Sequence, residues 1–317
     1  MTAARALVLT AGLGTRLRPL TCVRAKAAVP VNGEPLAARI IRWLVSRGIS
    51  DLVLNLHHLP ESLAALIGDG SDLGARVRYS WEQPILGSAG GPRHALSLLT
   101  DPFLIVNGDT LTDVDLGALA AAHAASGAEV TMAVIPNPRP EHYGGVAVAD
   151  GWVSGFTRRG PRAAASFHFI GVQMASRRVF AGLPDGVPSE SVGSLYPALI
   201  ARNPRAIHAF VSDASFRDIG TPGDCWRTSV ELAAAEGDRL IAPGARVSES
   251  AHVARTAVWD DVTIGAGASL VDCIVAAGVR IPAGARYSRC AIVPAAACGP
   301  AAADRVERGL LVAPFAG

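Results

Sequence analysis

An α/β fold is predicted: a mostly parallel, Rossmann-like sheet domain over residues 1–238, followed by a short left-handed parallel β-helix over residues 239–317. Three observations predict it. Strand-like apolar runs alternate with helical stretches through the first half, a glycine-rich turn follows the first of those runs, and beyond Leu240 aliphatic residues recur about every six positions.

The strand-like runs are Ala6-Thr10, Asp51-Leu56, Val77-Trp81, Phe103-Val106 and Val130-Ile135, and the helical stretches lie near Ala37-Arg47, Glu61-Ile67, Arg93-Leu99 and Leu116-Ser126. Such alternation marks βαβ units, whose ligands collect beyond the carboxyl ends of the strands. The glycine turn and Asn107-Gly108-Asp109 therefore face one crevice. From Gly144 the pattern loosens into a hairpin around Asp150-Gly151 and a strand over Phe167-Gln173. A helix over Val192-Ala201, a strand over Ala206-Val211 and a last helix Gly223-Ala235 complete the first domain.

Beyond Leu240 the recurring residues are Ile241, Val247, Val253, Val258, Ile264, Leu270, Val275 and Ile281, with small residues between them. This period fits a hexapeptide β-helix of roughly three coils, each side burying one aliphatic side chain. So short a solenoid is marginal alone and should pack on the first domain or on another subunit; a homo-oligomer, dimer or higher, is expected.

The net charge is only +2, with basic residues scattered, which excludes the electrostatic footprint of a nucleic-acid binder. No apolar stretch approaches the ~20 residues that cross a bilayer, so no membrane partner is expected. The five cysteines, Cys22, Cys225, Cys273, Cys290 and Cys298, form no Cys-x-x-Cys pair, and no signal-like leader precedes the first strand. A cytoplasmic location is expected.

Chemistry concentrates in the turn Leu9-Thr10-Ala11-Gly12-Leu13-Gly14-Thr15-Arg16-Leu17-Arg18. Its glycines let backbone N–H groups approach an anion, and Arg16 and Arg18 add full charges. A dinucleotide fingerprint would need glycine at Leu17, and a Walker loop would need Gly-Lys-Ser/Thr at Gly14-Thr15-Arg16. Asp109, on a tight turn after an apolar strand, suits Mg²⁺, which takes one or two carboxylates beside phosphates and water. Asp218, set before Gly220-Thr221-Pro222, is the expected second ligand. Lys26 is the only lysine in the chain, so its site calls for a compact ammonium beside an anionic transition state.

Taken in order, these residues resemble the sugar-1-phosphate nucleotidyltransferases, and within that family the mannose-1-phosphate guanylyltransferase-like members. The resemblance spans nearly the whole chain. It rests on Ala11 to Thr21, on Lys26-Ala27-Ala28-Val29-Pro30-Val31, on Glu82-Gln83-Pro84-Ile85-Leu86-Gly87-Ser88-Ala89-Gly90-Gly91, on Asn107-Gly108-Asp109 and on Asp218-Ile219-Gly220-Thr221-Pro222.

The resemblance implies that a sugar 1-phosphate oxygen attacks the α-phosphorus of a nucleoside triphosphate and expels pyrophosphate, chemistry that needs positioning and charge neutralisation. It gives catalytic roles to Arg16, Lys26 and Asp109, and Mg²⁺ to Asp109 and Asp218. Nucleotide contacts fall to Leu9, Ala11, Gly12, Gly14, Thr15, Arg16, Glu82, Gly87, Ser88, Ala89 and Asn107. Glu82 accepts hydrogen bonds only, which favours the adjacent N–H donors of guanine and hence GTP; Gln83 beside it both donates and accepts. The sugar or cyclitol 1-phosphate, mannose 1-phosphate being favoured, falls to Gly145, Arg158, Phe169 and Gly171.

Two positions depart from the family pattern. Thr157-Arg158-Arg159-Gly160-Pro161 stands where many members carry Glu-Lys-Pro, so Arg158 or Arg159 is left to take the sugar phosphate. Ala25 stands where many have proline before the lysine, a loss that should loosen Lys26. Three alternatives follow: a regulatory paralogue that binds nucleotide without turnover, a uridylyl, thymidylyl or adenylyl transferase of the same family, and a hexapeptide acyltransferase, for which only His252 is available.

Overall fold

The computed structural model describes residues 5–316. They fall into two compact units, one formed by residues 5–12, 40–60 and 67–217, the other by residues 13–39, 61–66 and 218–316.

The first unit is built on a nine-stranded sheet in the order Arg76–Trp81, Asp51–Leu56, Ala6–Leu9, Phe103–Asn107, Phe167–Ala175, Val130–Pro136, Ile207–Val211, Trp152–Thr157, Gly145–Ala149. Ala6–Leu9 is an unbroken apolar run because parallel neighbours flank it and both its faces are covered. Its register pairs Leu9 with Asn107, so the first strand ends level with the Asn107-Gly108-Asp109 turn.

Only the first four strands in that order form a parallel block; the sheet is mixed beyond it. Phe167–Ala175 runs antiparallel to both of its long neighbours, and the hairpin around Asp150-Gly151 is antiparallel as expected. For the hairpin the reason lies in its tight connection, since parallel pairing requires a crossover that a hairpin cannot supply. The core beneath holds Phe103 and Phe180, ring centroids 5.8 Å apart, and the fully buried Tyr196, whose hydroxyl donates to Gln173 at 2.9 Å.

One helix is displaced from its expected place. Instead of Arg93-Leu99, the helix covers Gly87–His94 and a 3₁₀ turn follows at Leu96–Leu98. Tertiary bonds override local propensity there: the Ala89 and Gly90 amides both donate to the Ser189 carbonyl, and the Ser189 amide donates back to Leu86. The expected helix over Val192-Ala201 is a wide turn, Ser191–Leu195, leading into Tyr196–Arg202.

In the second unit, the glycine turn passes through short 3₁₀ turns at Thr15–Leu17, Leu20–Cys22 and Lys26–Ala28 into a small hairpin, Pro30–Val31 with Glu34–Pro35. Asn32 at the hairpin tip takes φ +48° and is almost completely buried. Its side chain donates to the Gly237 carbonyl and accepts from the Arg239 amide, anchoring the hairpin to the end of helix Pro222–Glu236. That helix starts in a capping box, with Thr221 Oγ1 accepting from the Asp224 amide and Asp224 Oδ2 accepting from the Thr221 amide.

The C-terminal strands form three short parallel ladders: Arg246, Thr263 and Arg280 pair in one, His252, Ser269 and Arg286 in another, Ala257, Ile274 and Ala291 in the third. Each pairing steps by 17 residues, as from Arg246 to Thr263. The aliphatic residues Val258, Ile264, Leu270, Val275 and Ile281 form the buried centre. Cys290–Pro294 then turns the last ladder into antiparallel pairing with Leu310–Pro314. Cys22 and Cys298, 276 residues apart, form a disulfide that no local cysteine spacing could announce.

Candidate active site

In the first unit, the ends of three parallel strands meet around one buried side chain. Asn55, 3% exposed, sits in the otherwise apolar strand Asp51–Leu56. Its Oδ1 accepts from the Thr10 amide at 2.6 Å and from the Ala11 amide at 3.3 Å, where the first strand enters the glycine turn. Thr10 Oγ1 donates to the Asn55 carbonyl. Beyond this anchor the chain comes to the surface: Ala11 is buried, whereas Gly12 is exposed with open space where a Cβ would stand.

Asn55 Nδ2 donates to Glu82 Oε1 at 2.6 Å, and Glu82 Oε2 accepts from the Leu86 amide at 2.8 Å. Glu82 is 4% exposed, so both oxygens serve the protein, in contrast to the expectation that this carboxylate faces a base. Burial of a carboxylate demands this satisfaction. Gln83 next to it is exposed. A Cβ at Gly91 would stand 2.6 Å from Glu82 Oε1, so only glycine fits against the pair.

Gly87, at φ +76°, opens the following helix, and Ser88 Oγ donates to Glu190 Oε2 at 2.7 Å while accepting from the Ser191 amide. Ala89 is buried. Leu9 and Asn107 are neighbours across the strand pair, and the Gly108 amide donates to the Leu9 carbonyl at 3.0 Å. Asp109 follows, half-buried, with the Thr110 hydroxyl 3.4 Å from its Oδ1. Gly171, at φ +78°, lies against the Asn107 side chain, 2.8 Å from it at the nearest point a Cβ would reach.

The expected sugar residues lie on the hairpin and on Phe167–Ala175. Gly145 pairs opposite Thr157, and a Cβ there would fall 2.6 Å from Thr157 Oγ1. Phe169 is half-buried against the core, and Arg158 and Arg159 are exposed. An aromatic cluster adjoins them: Tyr143 stacks on His168 at 4.4 Å, and the Phe216 ring meets both edge-on.

In the second unit, Gly14 takes φ +61°, and a Cβ there would lie 3.1 Å from Lys26 Cβ, so the lysine stem rests on the glycine turn. Thr15 and Arg16 are exposed. A Cβ at Gly220 would lie 3.0 Å from Asp218 Oδ2 and 3.1 Å from Arg16 Nη1, so carboxylate and guanidinium converge on one glycine. Ala25 corrects the expected loosening of Lys26. Its φ of −52° is the angle proline would set, it is buried, and its amide donates to Ser62 Oγ at 2.9 Å, a bond that proline cannot make.

Among the described residues no three His, Cys, Asp or Glu side chains gather as a metal cage. Magnesium asks for less than such a cage, needing only one or two protein carboxylates. No helix among the described residues is long and apolar enough to cross a membrane.

Sequence reasoning does not single out Asn55, the Thr10 side chain, Ser62 or Glu190. Of these only Asn55 carries a signal, a polar residue inside the apolar run Leu52-Val53-Leu54-Asn55-Leu56.

Burial holds the imidazoles of His123 and His168 below the ordinary histidine pKa near 6.5. The unfolded chain then binds more protons below that value. The stability gained by keeping them neutral is present above pH ~6.5 and lost as the pH falls through the lowered folded values. Urea midpoints should drop between pH 7 and 5, and His123→Asn should flatten that dependence.

The model of the Nucleotidyl transferase family matches residues 5–235. The chain is 31% identical over 297 residues to the mannose-1-phosphate guanylyltransferase of Mycobacterium tuberculosis, covering 90% of this chain and 83% of that protein. It is 27% identical over 279 residues to the UTP–glucose-1-phosphate uridylyltransferase of Synechocystis, covering 82% and 72%. The crystal structure of HddC from Yersinia pseudotuberculosis superposes with a TM-score of 0.64 at 20% identity, over 72% of this chain and 99% of that one.

Proposed function

Since the chain belongs to the nucleotidyl transferase family, we propose that it joins a nucleoside triphosphate to a sugar or cyclitol 1-phosphate, releasing pyrophosphate. GTP and mannose 1-phosphate are the favoured pair. The observation that carries this reading is the exposed glycine turn with Lys26 packed on Gly14 and with Arg16 and Asp218 meeting at Gly220. Two cations and a carboxylate around an exposed glycine turn suit a metal-bound polyphosphate.

Arg16 and Lys26 offset charge on the reacting phosphates in this scheme, which asks for electrostatic stabilisation rather than a covalent protein intermediate. Asp109 and Asp218 are the proposed magnesium ligands; the ion, when bound, neutralises phosphate charge. With Glu82 engaged inside the protein, Gln83 is the exposed group that offers a base both a donor and an acceptor. The preference for guanine and mannose is supported by the mycobacterial relative, and the uridylyl relative marks a competing base.

We further read the 17-residue ladders as the coils of a left-handed hexapeptide β-helix that serves a homo-oligomer, and place the protein in the cytoplasm, where nucleoside triphosphates are supplied. The deciding experiment crosses the common nucleoside triphosphates with several sugar and cyclitol 1-phosphates, Mg²⁺ present, and measures pyrophosphate. GTP with mannose 1-phosphate should give the highest kcat/KM. Tight nucleotide binding with no pyrophosphate from any pair would establish the non-catalytic paralogue instead.

A further inference from the structure

Two buried polar side chains, Asn55 and Glu82, have no role in the chemistry as described, and both are committed to each other and to backbone groups of nucleotide-site segments. We propose that they form a positioning relay, holding the phosphate turn and the base loop in one fixed relation so that a nucleoside triphosphate meets both at once. This deepens the nucleotidyl transfer reading and rests on it.

The geometry assigns each atom a task. Asn55 Oδ1 takes the Thr10 and Ala11 amides, so the next position, Gly12, exposed and with open space where a side chain would stand, is where an anion can begin to dock. Asn55 Nδ2 hands the other end of the amide to Glu82 Oε1, and Glu82 Oε2 fixes the Leu86 amide immediately before Gly87. Two hydrogen-bonding side chains thus span from the start of the glycine turn to the residue before Gly87. Every donor and acceptor in the chain is directional, and at 3% and 4% exposure no water competes for them, so a shift at one end is felt at the other. The absence of a side chain at Gly91 keeps the Glu82 carboxylate seated.

The polarity of the relay can be reversed without changing its shape. Asn55→Asp alone sets a carboxylate against the Glu82 carboxylate. Adding Glu82→Gln restores a donor, because the new amide can give an N–H to the carboxylate introduced at position 55 and still accept from the Leu86 amide through its carbonyl.

Wild type, N55D and the N55D/E82Q pair are compared by pyrophosphate release with GTP, mannose 1-phosphate and Mg²⁺, and by calorimetric GTP binding without sugar phosphate. N55D should raise the KM for GTP at least tenfold and move the KM for mannose 1-phosphate less than twofold. N55D/E82Q should return the GTP KM to within threefold of wild type. A residue that merely supports the fold would lower thermal stability and leave the ratio of the two KM values unchanged. That result, or a pair no better than N55D, overturns the relay.

Should N55D not fold, the pair decides alone: GTP affinity within threefold of wild type supports the relay, and a tenfold loss overturns it. If wild type turns over no substrate pair, the transfer reading fails, and the calorimetric GTP affinities of the same proteins still decide the relay. No GTP binding by wild type overturns both.

Discussion

Asp109→Asn is expected to lower kcat for pyrophosphate release by a factor on the order of 10³, with GTP binding in the absence of metal changed less than threefold. The substitution is nearly isosteric, so the Asn107-Gly108-Asp109 turn, anchored by the Gly108 amide on the Leu9 carbonyl, has no reason to move. What disappears is a full negative charge at the end of the strand Phe103–Asn107, in a side chain that is only half-buried and whose neighbour Thr110 offers a long hydrogen bond. An amide oxygen is a poor ligand for a hard dication that already binds few protein groups. The deficit should therefore shrink as Mg²⁺ is raised, and a change in melting temperature of under about 2 °C would separate the loss of charge from a loss of fold. Turnover within tenfold of wild type at ordinary Mg²⁺ would refute the assignment of Asp109 as a metal ligand.

The contrast between Asp109 and Glu82 shows which features of the site are legible in the sequence. Asp109 can be placed because its presentation is local: an apolar strand, then Asn-Gly, then the carboxylate. Glu82 misleads because its partners are Asn55, 27 residues earlier, and a backbone amide four residues later, and neither leaves a mark at Glu82 itself. The same holds for Ala25, which reads as a weakened proline until Ser62, 37 residues away, supplies its restraint. The Cys22–Cys298 pair is the extreme case, at a separation of 276 residues.

Secondary structure divides along the same line. The strands Asp51–Leu56 and Phe103–Asn107 follow from their apolar runs, and the helix Leu116–Ser126 from its leucines and alanines, begun where Asp115 caps the Gly117 and Ala118 amides. The helix Gly87–His94 does not, being a glycine-rich segment with an internal proline that periodicity would never choose, held by the Ser189 carbonyl from outside. In the C-terminal ladders, spacings of six, six and five between the aliphatic residues Ile241, Val247, Val253 and Val258 return to one face after 17 residues, matching the bridge between Ile241 and Val258. Such a repeat is local by construction, so the sequence can display it, although Ile241 at its start is exposed rather than buried.

Lys26→Arg is expected to keep the charge and lose about a hundredfold in kcat, with the KM for GTP altered less than fivefold. The chain holds one lysine among 29 basic Lys and Arg residues, so arginine was available everywhere else and is absent here. The local backbone explains why the exchange should matter. Lys26 opens a 3₁₀ turn whose next two residues, Ala27 and Ala28, are buried, and its stem lies against Gly14, with Ala25 held by Ser62 on the other side. So fixed a start leaves little freedom to re-aim a planar guanidinium fork at a spot shaped for a compact ammonium. Lys26→Ala should lose the charge as well and fall further, by roughly tenfold more than Lys26→Arg. The single lysine also permits an independent check: amine-selective reductive methylation can modify only Lys26 and the chain amino terminus, and GTP with Mg²⁺ should protect the lysine. Full activity in Lys26→Arg, or modification of Lys26 that GTP does not slow, would remove the ammonium from the proposed chemistry and leave Arg16 as the cation beside the turn.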